Sequence, residues 1–202
     1  VACNTASALS IEPLRERFDP LPVIGVVEPG AAAAVAASRR QRHLVLAPES
    51  TVTHHAYARA IRPLAPDAHV DEVACSLLVS LAEEGWSDGP IADAVAREYL
   101  DPVRARGSDA MPDSVVLGCT HFPLLAEPIR RAIGEGPTIV DSATTTAEEV
   151  ATVLARMGLL RQSEQPGATT LLATDGAERF AKVGARFLGH PLSASDVEVV
   201  DL

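Results

Sequence analysis

Ser114-Val115-Val116-Leu117-Gly118-Cys119-Thr120-His121-Phe122-Pro123-Leu124-Leu125 is the stretch from which the fold can be read. It opens with a short β-branched apolar run, the kind that is buried on both faces of a parallel sheet. Gly118 ends the run, and Cys119, Thr120 and His121 follow as polar or nucleophilic side chains. Pro123 then stands where a helix begins, because proline suits a first helical position. A strand, a polar loop and a helix in that order form the repeating unit of an α/β fold.

Outward from this stretch the same alternation recurs. The sequence predicts strands at 23–27, 44–47, 69–74, 115–117, 138–140 and 170–173. Between and around them it predicts helices at 6–17, 31–40, 52–62, 77–84, 91–106, 124–133, 145–157 and 177–187. The fold class is therefore α/β with a mostly parallel sheet. The stretch 162–167 is the nearest approach to a loose loop, and there is no tandem repeat of fixed period. A softer echo is present: Val1-Ala2 leads into Cys3-Asn4-Thr5 as the 114–118 run leads into Cys119-Thr120-His121, each Cys just ahead of a helix.

Composition narrows the function classes. The 202 residues, 47% of them hydrophobic, suffice for one large core or two small ones. A net charge of −10 leaves no basic stripe for phosphates, so nucleic acid is not an expected partner. No apolar stretch is long enough to span a bilayer and none reads as a signal peptide, so no membrane partner and a cytoplasmic location are expected. Cys3, Cys75 and Cys119 are far apart with no CxxC spacing, which speaks against a disulfide framework or a zinc knuckle. Because the chain opens at Val1-Ala2-Cys3, at what reads as the end of a strand, an N-terminal part is expected to be missing.

In open α/β sheets ligands gather at the carboxyl ends of strands, where loops meet helix N-termini. Both cysteine motifs fall at such positions. Amide donors and the helix dipole there favour negative charge, which suits a thiolate and equally a bound carboxylate. Asn4, the chain's single asparagine, and Thr5 add hydrogen-bonding groups beside Cys3, as Thr120 and His121 do beside Cys119. A lone Cys ahead of a helix is more often a small buried apolar residue, but two in matching contexts weaken that reading. Cys75, followed by Ser76-Leu77-Leu78-Val79 with no imidazole nearby, is read as buried and inert. Two opposed thiols suit inversion at an acidic carbon, where a base removes the proton from one face and an acid returns one to the other.

These residues carry a family resemblance. Val1-Ala2-Cys3-Asn4-Thr5-Ala6-Ser7 together with Leu117-Gly118-Cys119-Thr120-His121-Phe122-Pro123-Leu124-Leu125 resembles bacterial glutamate racemases of the aspartate/glutamate racemase superfamily. Further matches are Gly25-Val26-Val27-Glu28-Pro29-Gly30-Ala31, the segment from Cys75 to Glu83-Glu84-Gly85, Val140-Asp141-Ser142-Ala143, and the closing Arg179-Phe180 to Phe187-Leu188-Gly189. The resemblance implies cofactor-independent interconversion of L- and D-glutamate, supplying D-glutamate for peptidoglycan. It implies Cys3 as the base for the D-isomer and Cys119 as the base for the L-isomer. Asn4, Thr5, Thr120 and His121 would hold the substrate, with Glu83 and His121 supporting. Ser76 and Ser80 stand where the family usually has prolines, which bears on Glu83; the plain alternative for it is an exposed helical glutamate.

The fold so implied is two similar α/β lobes of mostly parallel sheet flanked by helices, with the active site between them. Residues 1–27 and 142–202 would form the first lobe, carrying Cys3, and 28–141 the second, carrying Cys119. The family's Asp-Ser-Gly-rich loop and Tyr-Gly motif lie upstream of its first catalytic Cys, and neither precedes Cys3 here. The first lobe is accordingly expected to be incomplete, and the chain alone is a candidate for an inactive fragment. Dimers are common in the family, so a homodimer is the implied assembly.

Other readings compete. Aspartate and hydantoin racemases of the same superfamily would use a similar thiol pair, and a binding protein could keep the fold without turnover. A pyridoxal enzyme would need a Schiff-base lysine, and the single lysine, Lys182, reads as a surface residue. No cofactor is expected. Six histidines raise a metal hydrolase, but His54 and His55 are adjacent and no HxxxH or HxH spacing occurs, so no metal site is expected.

Overall fold

A computed structural model describes residues 1–163, 165 and 167–201; the predicted loose loop at 162–167 therefore includes two residues, Glu164 and Pro166, outside the described residues. The chain divides into two compact units, one of Val1–Ala82 with Trp86–Leu160 and the other of Glu83–Gly85 with Arg161–Leu202.

The first unit is built on a parallel four-stranded sheet in the order β2-β1-β3-β4. The strands are β1 Arg42–Ala47, β2 His69–Ala74, β3 Ser114–Leu117 and β4 Thr138–Asp141. His43 to Ala47 and all of β3 are buried, whereas the edge strands β2 and β4 are only partly so. That difference explains their composition: the central pair is an apolar run, while the edges tolerate Asp71, Glu72 and Thr138.

Side chains alternate across the sheet. Leu44, Leu46, Val115 and Leu117 face one way, into a core closed by helices α5 (Ser76–Glu84), α6 (Pro90–Arg104) and α7 (Ala126–Ile133). Val45, Ala47 and Val116 face the other way, against α2 (Val27–Ala37) and α4 (Ala56–Ile61). Helix α6 shows why the pattern was readable: Ala92, Ala96, Leu100 and Val103 are its buried residues, at the spacing of one helical face, and Pro90 starts it. The remaining helices of this unit are α1 (Asn4–Phe18), α3 (Glu49–Thr53) and α8 (Ser142–Arg156). Among the described residues no helix is long and apolar enough to cross a membrane.

The second unit is a small βαβ element. Strands β5 (Leu171–Ala173) and β6 (Val197–Val199) pair in parallel around α9 (Ala177–Leu188). Arg186 donates from Nη1 to the Glu83 carbonyl at 2.7 Å and from Nη2 to the Glu84 carbonyl at 3.2 Å. Lys182 is exposed on α9, as the sequence suggested.

The α/β class, the parallel sheet and its flanking helices are those expected, and β2 has the predicted bounds. Three local expectations fail. The segment 23–27 is not a strand, because no neighbouring strand is bonded to it: the Val23 carbonyl is taken by Arg15 Nε and the Ile24 carbonyl by the Val1 ammonium, and Val27 already belongs to α2. The helix at 52–62 is two helices, since His55 adopts left-handed backbone angles (φ 48°, ψ 39°) and re-aims the chain into α4. Strand β6 went unpredicted, being only Val197, Glu198 and Val199.

One ionic cluster ties the layers together at the N-terminal edge of the sheet. Asp113 accepts from Ser38 Oγ at 2.8 Å, from the Arg40 N–H at 2.5 Å and from Arg40 Nε at 2.7 Å, joining the end of α2 to the start of β3. Burial alone would raise this carboxyl, but the bonds from Ser38 and Arg40 outweigh it and hold Asp113 below the ordinary carboxylate range. A depressed folded-state value means stabilisation that is present above the unfolded value of about 3.9 and is lost as pH falls through the folded value. Asp113→Asn should therefore cost about 1.5–3 kcal/mol at neutral pH and flatten the acid limb of stability. Urea titrations of both proteins between neutral pH and the acid range check this; an unchanged acid limb would refute it.

Candidate functional site

Cys3 is the N-cap of α1, in extended conformation, with its Sγ accepting from the Ala6 N–H at 3.5 Å and its carbonyl from the Ser7 N–H at 2.8 Å. Its thiol side is exposed. Asn4, in the first turn, is only 2% exposed. Its Oδ1 accepts from the Tyr57 hydroxyl at 2.7 Å, while its Nδ2 is buried with no hydrogen-bond partner in the protein. Buried amide donors are nearly always paired, so this group points to an occupant outside the protein's own bonds. Thr5 Oγ1 lies 3.0 Å from Thr51 Oγ1 and 3.1 Å from Ser50 Oγ, which bonds the α1 start to the loop leaving β1.

The second motif leaves the sheet beside that loop. The Gly118 N–H donates to the Leu46 carbonyl at 2.7 Å, prolonging the β3 ladder by one step. Cys119 follows, 7% exposed, with its Sγ 3.8 Å from His121 Nδ1. Phe122–Leu125 makes a short 3-10 turn with Pro123 near its start, and α7 continues from it. The expected helix after Cys119 therefore begins as a tighter turn. Strand order reverses between β1 and β3, and a doubly wound sheet opens its ligand crevice at such a point, beyond the carboxyl ends of the strands. Ser50 and Thr51 follow β1 at this crevice, and Cys119 follows β3.

A residue that the sequence reading passed over joins the two motifs. Tyr57, fully buried on α4, bonds Asn4 and packs its ring edge on Gly118, where a Cβ would come within 3.0 Å of Cε2. Burial pushes its phenol well above the ordinary value, the charge of a Cys119 thiolate pushes it further, and a hydrogen bond with Ser142 opposes both. Tyr57 thus stays a protonated donor. Among the predicted site residues, Asn4 and Cys119 meet through this side chain, Thr5 stands on the β1 loop, and His121 stands beside Cys119. Thr120 is half-buried between Cys119 and His121. Glu83 belongs to the other compact unit, where its carboxylate is ion-paired with Arg179.

Cys75 is the internal contrast. It is fully buried, its Sγ donates to the Val73 carbonyl at 3.4 Å, and burial pushes its thiol up to about 12. Such a thiol carries almost no thiolate at neutral pH. The histidine pair is also accounted for: His54 Nδ1 lies 2.7 Å from the Ser50 carbonyl and His55 Nδ1 2.6 Å from Glu72 Oε2. Among the described residues no group of three or more His, Cys, Asp or Glu is placed to hold a metal. A cavity of about 1000 Å³ opens between α1, α2 and α8, lined by residues such as Ile11, Leu21 and Val153; neither motif cysteine lines it.

Comparison with known proteins fits this geometry. Residues 1–150 match the sequence profile described as Asp/Glu/Hydantoin racemase. The glutamate racemase of Geobacter metallireducens is 45% identical over 202 residues, covering 100% of this chain and 72% of that protein. The glutamate racemase of Neisseria meningitidis serogroup A is 41% identical over the same coverage. The crystal structure of glutamate racemase isoform RacE1 from Bacillus anthracis superposes with a TM-score of 0.90 at 33% identity, over 100% of this chain and 73% of that one. That of the Francisella tularensis enzyme in complex with D-glutamate gives 0.87 at 29% identity, over 100% and 72%. A profile match over three quarters of the chain and identity of this order across all of it place the protein in the Asp/Glu/hydantoin racemase family.

Proposed function

We propose that the protein interconverts L- and D-glutamate without a cofactor, using Cys3 and Cys119 as opposed acid and base. The observation that carries the reading is the buried, unpartnered Nδ2 of Asn4 beside Cys3, held by a tyrosine that packs against the Gly118-Cys119 end of β3. A donor without an acceptor suits a substrate carboxylate or carbonyl oxygen. Glutamate is the substrate named for the relatives at 41–45% identity, and a D-glutamate complex is known for the Francisella tularensis enzyme.

In the proposed reaction one cysteine enters as thiolate and the other as thiol. The thiolate takes the Cα proton, and the electron pair of the broken C–H bond stays on the carbon, delocalised into the carboxylate. The opposite S–H bond then gives its proton to the other face of Cα, leaving a thiolate there. Cys3 serves as base toward the D-isomer and Cys119 toward the L-isomer. His121, 3.8 Å from Cys119 Sγ, is suited to exchange a proton with that thiol. Thr5, Thr120 and His121 are proposed to hold the substrate with Asn4, and Glu83 enters as a supporting acid by its place in the family pattern. The lobe division into 1–27 with 142–202 and 28–141 gives each half one thiol motif and forms part of the proposal. D-glutamate supply for peptidoglycan, in the cytoplasm, is the role that this activity fits.

Two measurements test the reading. Circular dichroism of pure L- or D-glutamate incubated with the protein should decay to zero without added cofactor. Cys3→Ser and Cys119→Ser should each reduce the rate by about a thousandfold or more, as for loss of an acid/base group, while Cys75→Ser keeps it. Wild-type turnover in either of the first two variants would end the two-thiol mechanism. Separately, iodoacetamide at neutral pH should label the exposed Cys3 in the folded protein and reach Cys75 only after denaturation, as read by peptide mass spectrometry. Prompt labelling of Cys75 in the folded state would contradict its assignment as inert.

A further inference from the structure

We infer that Tyr57 is a positioning residue of this site: its hydroxyl fixes the Asn4 carboxamide so that Nδ2 is presented to the substrate, and its ring ties that amide to the strand end that carries Cys119. The inference rests on the racemase reading above and adds a residue to it.

Three independent features of the structure lead to it. First, the hydroxyl is spent on Asn4 rather than on the backbone or water. Tyr57 is fully buried, a buried phenol requires a partner, and the one it has is Asn4 Oδ1 at 2.7 Å. With its oxygen held by an O–H donor, the carboxamide cannot turn over without breaking that bond, so the NH2 end has one direction left. Secondly, the ring is clamped. A Cβ at Gly30 of α2 would lie 3.1 Å from the Tyr57 hydroxyl oxygen, and one at Gly118 would lie 3.0 Å from Cε2 and 3.0 Å from the Leu46 carbonyl. Two glycines therefore clear the space in which the phenol lies, one of them the residue immediately before Cys119. Thirdly, Ser142, at the start of α8, partners the phenol from the far side, and its hydroxyl also lies 3.4 Å from the Leu117 carbonyl at the end of β3. A donor on that side leaves the phenolic proton directed at Asn4. The bonding order is thus Asn4, Tyr57, Ser142 and the β3 end, a chain that fixes the amide beside Cys3 relative to the loop that carries Cys119. Nothing in it reaches Cα of a substrate, so Tyr57 acts through Asn4 and not as an acid or base.

The test uses the fact that Asn4 is the only asparagine in the sequence. Asparagine-selective 15N labelling yields a single side-chain NH2 pair, read by NMR with no substrate present. In Tyr57→Phe, which keeps the ring in its slot, this pair should shift and exchange faster with solvent. In kinetics KM for both glutamate isomers should rise about tenfold, the factor one hydrogen bond of ordinary net strength is worth, with kcat changed by less. Asn4→Ala should raise KM at least as much, and adding Tyr57→Phe to it should raise KM no further. An Asn4 pair unmoved in Tyr57→Phe, or KM effects that multiply in the double variant, would overturn the inference. If Tyr57→Phe does not fold, the reciprocal variant decides: the 19F signal of fluorotyrosine at Tyr57 must move in Asn4→Ala, and an unmoved signal overturns the inference. Absence of turnover by the unmodified protein would overturn the racemase reading instead, and is told apart because both NMR comparisons need no substrate.

Discussion

Strands β1 and β3 are covered on both faces, and that burial governs where chemistry can take place. Each backbone group of the pair is committed to a ladder, and each side chain from His43 to Ala47 and from Ser114 to Leu117 lies in one of two dry layers. A charged or catalytic group inside these strands would lose its hydration with nothing to replace it. The two polar side chains that do occur there, His43 and Ser114, satisfy each other at 2.8 Å, with Gln41 Oε1 3.2 Å from the other imidazole nitrogen. Burial lowers the His43 value, with the nearby charge of Asp113 opposing, so the ring is held toward its neutral form. Reactive groups are therefore confined to the strand ends.

The two ends have been used differently. At the N-terminal edge the polar groups close on themselves: Asp113 is saturated by Ser38 and Arg40, the Asp113 N–H donates to the Arg42 carbonyl, and the Thr138 N–H donates to the Asp113 carbonyl. At the carboxyl ends of β1 and β3 they do not. Asn4 keeps a buried donor unmatched, and Cys119 has an imidazole within reach but no strand neighbour beyond Gly118. Polar groups that bond one another hold layers together; polar groups left facing a crevice are available to a ligand. The contrast between the two edges of one sheet separates the structural end from the functional end without reference to any relative.

Periodicity explains which parts could be read ahead of the structure. Helix α6 and strand β2 announced themselves because their patterns repeat over several residues, and the Cys3 and Cys119 motifs did so because the reactive types stand next to each other in the chain. Segment 23–27 misled because an apolar β-branched run is necessary for a strand but not sufficient; the ladder comes from a neighbour, and Arg15 and Val1 occupy its carbonyls instead. The division of 52–62 was hidden because it turns on the backbone angles of His55 alone. Tyr57 was illegible for a different reason. Its partners are 53 residues away at Asn4 and, through Gly30 and Gly118, on two other elements, so no local window contains the relation. The available hint was Gly118 itself, a residue without a side chain between an apolar strand and a nucleophile.

The fates of Cys75 and Cys119 show that topology, more than residue type, selects the reactive thiol. Ala47 pairs with Ala74 on one side of β1, and Leu46 with Leu117 on the other. Counting onward, Cys75 and Cys119 reach the same level on either side of β1, and both lie in the same apolar layer. Between β1 and β2 the connection turns back on its own side, and α5 follows Cys75 directly, with Leu78 and Leu81 buried in that layer. The thiol is sealed, bonded to its own strand at Val73, and pushed up to about 12. Between β1 and β3 the strand order reverses, the connections diverge, and the chain beyond Gly118 passes through Thr120 and His121 before any helix begins. Two thiols one strand apart on either side of β1 thus meet opposite surroundings because only one of them stands where the sheet opens.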